Sequence, residues 1–440
     1  MEYAVFWFRR DLRLEDNKGL HEALKWGLPV IPIFIFDPEI LTKLSNKKDA
    51  RVEFIHNHVG HLKSEIQQYG SDLLVFYDTV ENVWINLFQA YKIRHVFVNT
   101  DYESYAIKRD AAIRNLCLKE QIQFSSFKDH VLFEKEEVCK EDGTYYSVFT
   151  AYKRKLIATL MTDNNSIQFS PYLTSFNTSD FTNFWKSKSS PLVSLDFLGF
   201  DKSEIAIPSK IVAKSIIQNY TLNRDYPYLA GTSKLGIHFR FGTISIREKA
   251  RAASQLNETY FTELMWRDFY SMILQAFPYV EFSSFRPAYN KIEWVNNEAN
   301  YSDWCEGKTG YPLVDAGMRE LNTTGFMHNR LRMVTASFLV KHLLIDWRWG
   351  EAYFAEKLLD FDLASNNGGW QWAAGCGTDA APYFRIFNPQ TQQERFDSNW
   401  VYIKKWVPEY LSESYQKPIV DHKWARERCL KTFKKALEEK

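Results

Sequence analysis

The chain has 440 residues, of which 45% are hydrophobic and 16% aromatic, with 14 Trp and a net charge of +1. That length points to two domains, the apolar content excludes disorder as the main state, and the near-zero charge excludes a basic character throughout, though not a local basic face. Five scattered cysteines without a C-x-x-C pair argue against a disulfide framework and fit a reducing, cytoplasmic setting.

Charge enters after eight residues, so a secretory signal is not expected. No run of about 18 apolar residues occurs, so no membrane span is expected either. The apolar runs YAVFWF (3–8), VIPIFIF (30–36), DLLVFY (72–77) and HVFVN (95–99) have the pattern of strands buried on both faces. Helical patterns separate them, the clearest over 49–70, which stops at Gly70. Residues 1–130 therefore read as an α/β domain with a doubly wound parallel sheet. No G-x-G-x-x-G follows the first strand, so a ligand here is expected at the carboxyl ends of the strands. Residues 131–204 read as an interdomain connector, rich in Ser, Asn and Thr from Thr162 to Ser190. From 205 to 440 helical periodicity dominates, as in 257–277 and 327–347, and predicts an all-helical domain.

The chemistry-bearing residues lie in this second half. In GTSKLG (231–236), Thr232 and Ser233 with the following N–H groups of Lys234, Leu235 and Gly236 suit a phosphate; a capped loop is the plainer alternative. Glu263, Trp266 and Arg267 stand at i, i+3 and i+4, either as a ligand face or as a half-buried ion pair under a Trp. Asn329, Arg332 and Met333 repeat that spacing, with Arg330 pointing elsewhere. Asp360 and Asp362 suit a pair with Arg332 better than a metal. In NNGGWQWAAGCGTDAAPYFRIFNP (366–389), flexible backbone and two large rings share one place. This composition fits a flat, buried cofactor beside a pocket for a second flat ligand. Arg224, Lys234, Arg330 and Arg385 could form a local basic rim for a nucleic-acid backbone.

Together with WFRRDLRLEDN (7–17), WRDFY, EGKTGYPLVDAGMREL and MHNRLRM, these stretches resemble the photolyase/cryptochrome family over essentially the whole chain. MHNRLRM followed by NNGGWQW is most similar to class I cyclobutane pyrimidine dimer photolyases. The resemblance implies FAD in the helical domain. Tyr220, Thr232, Ser233 and Leu235 match positions that hold its phosphates and edge, and Lys234, Gly236, Arg267 and Asn329 are counted with them. Arg332 and Asp360 match the pair beside the flavin ring, Asp362 a polar contact, and Asn366 the residue facing flavin N5. Glu263, Trp266, Asn329, Met333 and Trp372 match the dimer pocket, while Trp370, Trp347 and Trp294 match the chain that reduces oxidised flavin. The implied activity is light-driven DNA repair. Excited FADH⁻ passes an electron to the dimer, the cyclobutane ring splits, and the electron returns. UV-damaged DNA is the implied partner, bound by a monomer. Two departures stand out. Gly236 replaces a family serine, and Tyr105 and Ala106 stand where some members place an Asn-Glu pair on a folate antenna. A second antenna chromophore is therefore of open identity: a deazaflavin, another flavin, or none.

Overall fold

Five parallel strands, β1 (Glu2–Phe8), β2 (Val30–Phe36), β3 (Leu74–Tyr77), β4 (Lys92–Asn99) and β5 (Gln123–Phe127), form one sheet in the order β3-β2-β1-β4-β5. They belong to a computed structural model that describes residues 1–161 and 178–438. The start of the Ser/Asn/Thr-rich stretch, from Thr162 to residue 177, lies outside the described residues. The alternation of β1 explains why both faces are covered. Phe6 and Phe8 enter one core with Leu20 and Phe97, while Val5 and Trp7 enter the other with Trp84 and Val98. Helices α1 (Lys18–Lys25), α2 (Ala50–Gln67), α3 (Val80–Ala90) and α4 (Ser104–Lys119) supply the crossovers. Asn17, Asp49 and Thr79 cap the first three by accepting from backbone N–H groups. β5 has no counterpart among the expected strands. Its sequence, QFSSF, is half-exposed and interrupted by two serines, so it lacks the continuous apolar run that reveals the other four.

Two compact units emerge, and they interleave along the chain. The first comprises residues 1–138, 156–210 and 235–252, and the second residues 139–155, 211–234 and 253–440. The expected divisions, at 130 and 204, differ from these. Residues 235–252 join the first unit through a buried ionic network and one close approach. Arg247 donates from Nε to Asp16 Oδ2 at 2.9 Å and from Nη2 to Asp129 Oδ1 at 2.8 Å. Arg13 reaches the same Asp129 oxygen at 2.8 Å. At Gly242 (φ 62°) a Cβ would lie 2.1 Å from Arg10 O, so the approach requires glycine. The stretch read as a connector also contains a helix, α5 (Phe149–Leu160). Helix α6 (Ile246–Leu256) carries Arg247.

Within the second unit the principal helices are α7 (Glu258–Ala276), α8 (Asn329–Ser337), α9 (Trp347–Lys357), α10 (Leu363–Ala374) and α11 (His422–Glu438). Their caps follow from sequence. Asn257, His328, Asp346 and Asp362 each accept a backbone N–H at an N-terminus, and α10 stops at Gly375 with φ 87°. A core containing Trp304, Phe338, Leu339, Trp347, Phe354 and Trp370 holds α8, α9, α10 and α11 together. Among the described residues, every named strand lies before residue 128.

Candidate functional site

Helices α7, α8, α9 and α10 surround a cavity of about 390 Å³, within the range usual for small-molecule sites. Arg224, Glu263, Trp266, Arg267, Asn329, Arg332, Met333, Asp360, Asp362, Asn366, Trp370 and Trp372 line it. The helical spacings read from sequence thus converge. Glu263, Trp266 and Arg267 face in from α7, and Asn329, Arg332 and Met333 from α8.

Arg332 donates from Nη2 to both oxygens of Asp360, at 3.0 and 2.9 Å, and from Nε to Met327 O at 2.8 Å. It is therefore a fixed cation beside a fixed carboxylate. Asp362 serves as the α10 N-cap, accepting from Ser365 N at 3.2 Å. Asn366 donates from its amide nitrogen to Glu351 O at 3.1 Å and Glu351 Oε1 at 2.8 Å, which leaves its oxygen to accept. Burial raises the Glu351 pKa, and the Asn366 bond offsets only part of that.

On the opposite side Trp266 stacks on Phe149, with ring centroids 3.7 Å apart and planes 11° from parallel. Such a backing ring is worth about 0.5–1.5 kcal/mol beyond area burial and fixes the plane of Trp266. Tyr270 lies against Trp266 at 5.5 Å. Burial first, then the Asp379 and Glu263 carboxylates, push its phenol well above the usual range, so it stays protonated. Glu263 is held by Arg224, whose Nη1 lies 2.6 Å from Glu263 Oε1. Burial opposes the charge on Arg224, but Glu263 and Tyr220 outweigh it and raise its pKa.

Other sequence candidates lie outside the cavity lining. Tyr220 packs edge-on to Tyr260 at 5.0 Å, and Tyr260 donates to Ser233 Oγ at 2.9 Å, which ties the Thr232–Lys234 turn to α7. Lys234 (φ 52°) sits over the Phe326 ring at 4.6 Å. Leu235 and Gly236 open a helix of five residues, Gly236–Arg240, grouped with the first unit. Arg330 pairs with Asp225 at 2.6 Å, away from the cavity as its phase predicts. Exposed Arg385 packs on Phe387, and its carbonyl takes Lys341 Nζ at 2.8 Å. Burial brings Lys341 down to about 8. His328 caps α8 and is brought down to about 4, chiefly by burial, so it is neutral beside Arg330 and Arg332.

Trp370 lines the cavity and is only 2% exposed. Trp347 is buried at the start of α9, and Trp294 is half-buried against Phe433 at 6.0 Å. The ring neighbours of Trp370 are Phe354 at 4.9 Å and Trp304 at 6.0 Å. Neither stands out in the sequence, nor do Phe149, Tyr270 and Glu351. A backing ring or an amide-orienting carboxylate leaves no signature at fixed spacing; only the helical phase of Tyr270, four residues past Trp266, offers one.

The residues suit a large planar ligand with an anionic portion. The Arg332–Asp360 pair, the oriented Asn366 amide and the aromatic walls supply edge and face contacts. Gly369 offers open space, since a Cβ there would meet nothing within 4 Å. The buried Trp370 Nε1 meets no acceptor among the described residues. A sheet-and-helix unit and a helical unit with such a cavity define a two-unit α/β-plus-helical protein with a cofactor-sized site among its helices. Family models agree: "DNA photolyase" matches residues 4–170 and "FAD binding domain of DNA photolyase" matches residues 260–413. The chain belongs to the DNA photolyase family.

Among its relatives, the deoxyribodipyrimidine photo-lyase of Alkalihalophilus pseudofirmus is 36% identical, over 98% of each chain. That of Escherichia coli is 34% identical over 100% of each. The archaeal photolyase of Sulfolobus tokodaii, solved with two FAD molecules, is 35% identical with a TM-score of 0.82, covering 98% of this chain and 100% of that one.

Proposed function

We propose that this chain is a deoxyribodipyrimidine photolyase, a carbon–carbon lyase that uses light to split cyclobutane pyrimidine dimers in UV-damaged DNA. The observation that carries the proposal is the cavity in which the Arg332–Asp360 pair and Asn366 meet the Glu263, Trp266, Met333 and Trp372 pocket. FAD fits the first group, with Thr232, Ser233, Lys234, Arg267 and Asn329 read as further contacts. Bound and reduced, it supplies the light-driven electron that opens the cyclobutane ring and recovers that electron afterwards.

The remaining work belongs to the chain's own residues. Trp266, held flat by Phe149, and Trp372 stack on the two bases of a dimer turned out of the helix. Such stacking is worth about 1–3 kcal/mol per base and offsets the cost of extrusion. Glu263 hydrogen-bonds the dimer's polar edge, and Met333 packs on its apolar side. The Asn366 oxygen, oriented by Glu351, would accept a hydrogen bond from an N–H on the cofactor's edge. Trp370, Trp347 and Trp294 are read as the relay that keeps the cofactor reduced. Arg224, Arg330 and Arg385 neutralise backbone phosphates.

A second chromophore in the first unit belongs to the same proposal, because the Sulfolobus tokodaii photolyase carries two FAD molecules. At the strand carboxyl ends Arg9 and Arg109 sit over Trp7, at 5.0 and 4.9 Å, and the Tyr105 hydroxyl binds Asp37. Ala106 is buried and offers no polar group. A monomer in a reducing cytoplasm completes the reading, consistent with five free cysteines. No helix among the described residues is long and apolar enough to cross a membrane.

Glu263→Ala tests the pocket. It removes one hydrogen bond to a charged group, so repair under light slows about 10- to 100-fold while bound FAD is retained. Repair at the wild-type rate per photon absorbed would remove Glu263 from the site.

A further inference from the structure

We propose that Arg224 and Glu263 form a charge interlock that makes the protein's grip on the DNA backbone depend on filling the lesion pocket. The inference rests on the reading of the cavity as the dimer site. Two adjacent residues on one turn each pair with a cavity helix. Arg224 Nη1 lies 2.6 Å from Glu263 Oε1 on α7, and Asp225 Oδ1 lies 2.6 Å from Arg330 Nη2 on α8. Each guanidinium is seated over an aromatic ring, Arg224 on Tyr220 at 5.1 Å and Arg330 on Phe396 at 4.1 Å. Two of the three arginines read as phosphate contacts are thus already bound to carboxylates.

The two pairs differ in the fate of the carboxylate once a phosphate takes the arginine. Asp225 keeps 44% of its side chain exposed and is hydrated once released. Exchange at Arg330 therefore costs little on any DNA. Glu263 lines the cavity and keeps 32% of its side chain exposed, less than Asp225. Undamaged DNA leaves it only water as a replacement donor, so Arg224 is surrendered at the expense of a partly exposed ion pair. A flipped dimer brings imide N–H groups into the cavity, and these replace the guanidinium at Glu263. Arg224 is then released to phosphate only when a lesion is seated, which converts a sequence-blind backbone contact into a lesion-dependent one. Arg224 and Glu263 act here as specificity-determining residues, and Arg330 as the general grip.

Dark binding to undamaged single-stranded oligonucleotide tests the interlock without reference to repair. Glu263→Gln frees Arg224, so the FAD-loaded variant binds undamaged DNA about two- to fivefold more tightly than wild type, the worth of one exposed pair. A simple loss of negative charge would produce a similar change, and a double-mutant cycle separates the two. In an Arg224→Gln background the interlock predicts no gain from Glu263→Gln. A gain of equal size in both backgrounds, or none in either, overturns the proposal. Wild-type protein gives an independent check that requires no variant to fold. Its salt dependence should be steeper on dimer-containing than on undamaged DNA by about 0.7 in the logarithmic slope, one additional phosphate contact on a single strand. Equal slopes would also overturn it. Loss of light-dependent repair, by contrast, would count against the functional reading and leave these dark measurements standing.

Discussion

Arg247→Met should lower the unfolding free energy by about 3–5 kcal/mol, because it removes the cation that bridges two buried carboxylates, Asp16 and Asp129. Arg247 and Asp16 are 2% and 3% exposed at their side chains, and Asp129 is fully buried. Burial acts to raise the Asp129 pKa, yet Arg13 and Arg247 together hold it at about 2. With Arg247 gone, Arg13 alone faces Asp129, and Asp16 loses its Nε contact at 2.9 Å. These contacts also set the sign of the pH dependence. A depressed carboxyl contributes stability that is complete above its ordinary value of 3.8 and is lost as pH falls toward about 2. The variant loses the part of that slope that Arg247 supplies and keeps the part due to Arg13. Arg247→Lys keeps the charge without the forked geometry and should recover only part of the loss. Denaturation midpoints for the three proteins check this, and an Arg247→Met midpoint equal to wild type would show that the network is not supporting the first unit.

The second large effect concerns a glycine that carries no signal in the sequence. At Gly350 an added Cβ would lie 2.1 Å from Trp370 Cη2, 2.5 Å from Cζ3 and 2.6 Å from Leu339 Cδ2. Trp370 and Leu339 are both in the core, so neither can give way cheaply. Either α9 and α10 move apart or the Trp370 ring turns toward the cavity. Overpacking of this kind costs about 1–3 kcal/mol, and more when rings and backbone both shift. Gly350→Ala should therefore melt earlier, retain less FAD and photoreduce more slowly. Gly369→Ala on the neighbouring helix meets nothing within 4 Å and serves as the matched control for stability. Melting curves and the flavin-to-protein absorbance ratio decide between the two. An unshifted melt with normal photoreduction would mean that the α9–α10 contact is looser than described.

Both residues lie where sequence reading stops. Glu263, Trp266 and Arg267 can be placed on one face because α-helical spacing alone fixes their phase. The same holds for Asn329, Arg332 and Met333, and for the outward course of Arg330. β1, β2, β3 and β4 are legible as apolar runs, whereas β5, with serines at its centre, is not. Contacts between distant segments carry no local signal. Phe149 lies 117 residues before Trp266, in the stretch that reads as a connector. Glu351 orients Asn366 from a different helix, and Arg247 joins Asp16 and Asp129 across more than a hundred residues. Gly350 reads in sequence only as a mildly unfavourable helix residue, and its need for a missing Cβ is visible only against Trp370.

In the proposed reaction this cavity joins a light-absorbing cofactor to a pyrimidine dimer. The most direct test is to reduce the FAD-loaded protein, mix it with UV-irradiated oligo(dT), and track thymine absorbance under blue light against a dark control. Thymine absorbance should recover in the light and stay unchanged in the dark. Reduced FAD bound to the folded protein, with no recovery in the light, would contradict the proposed reaction.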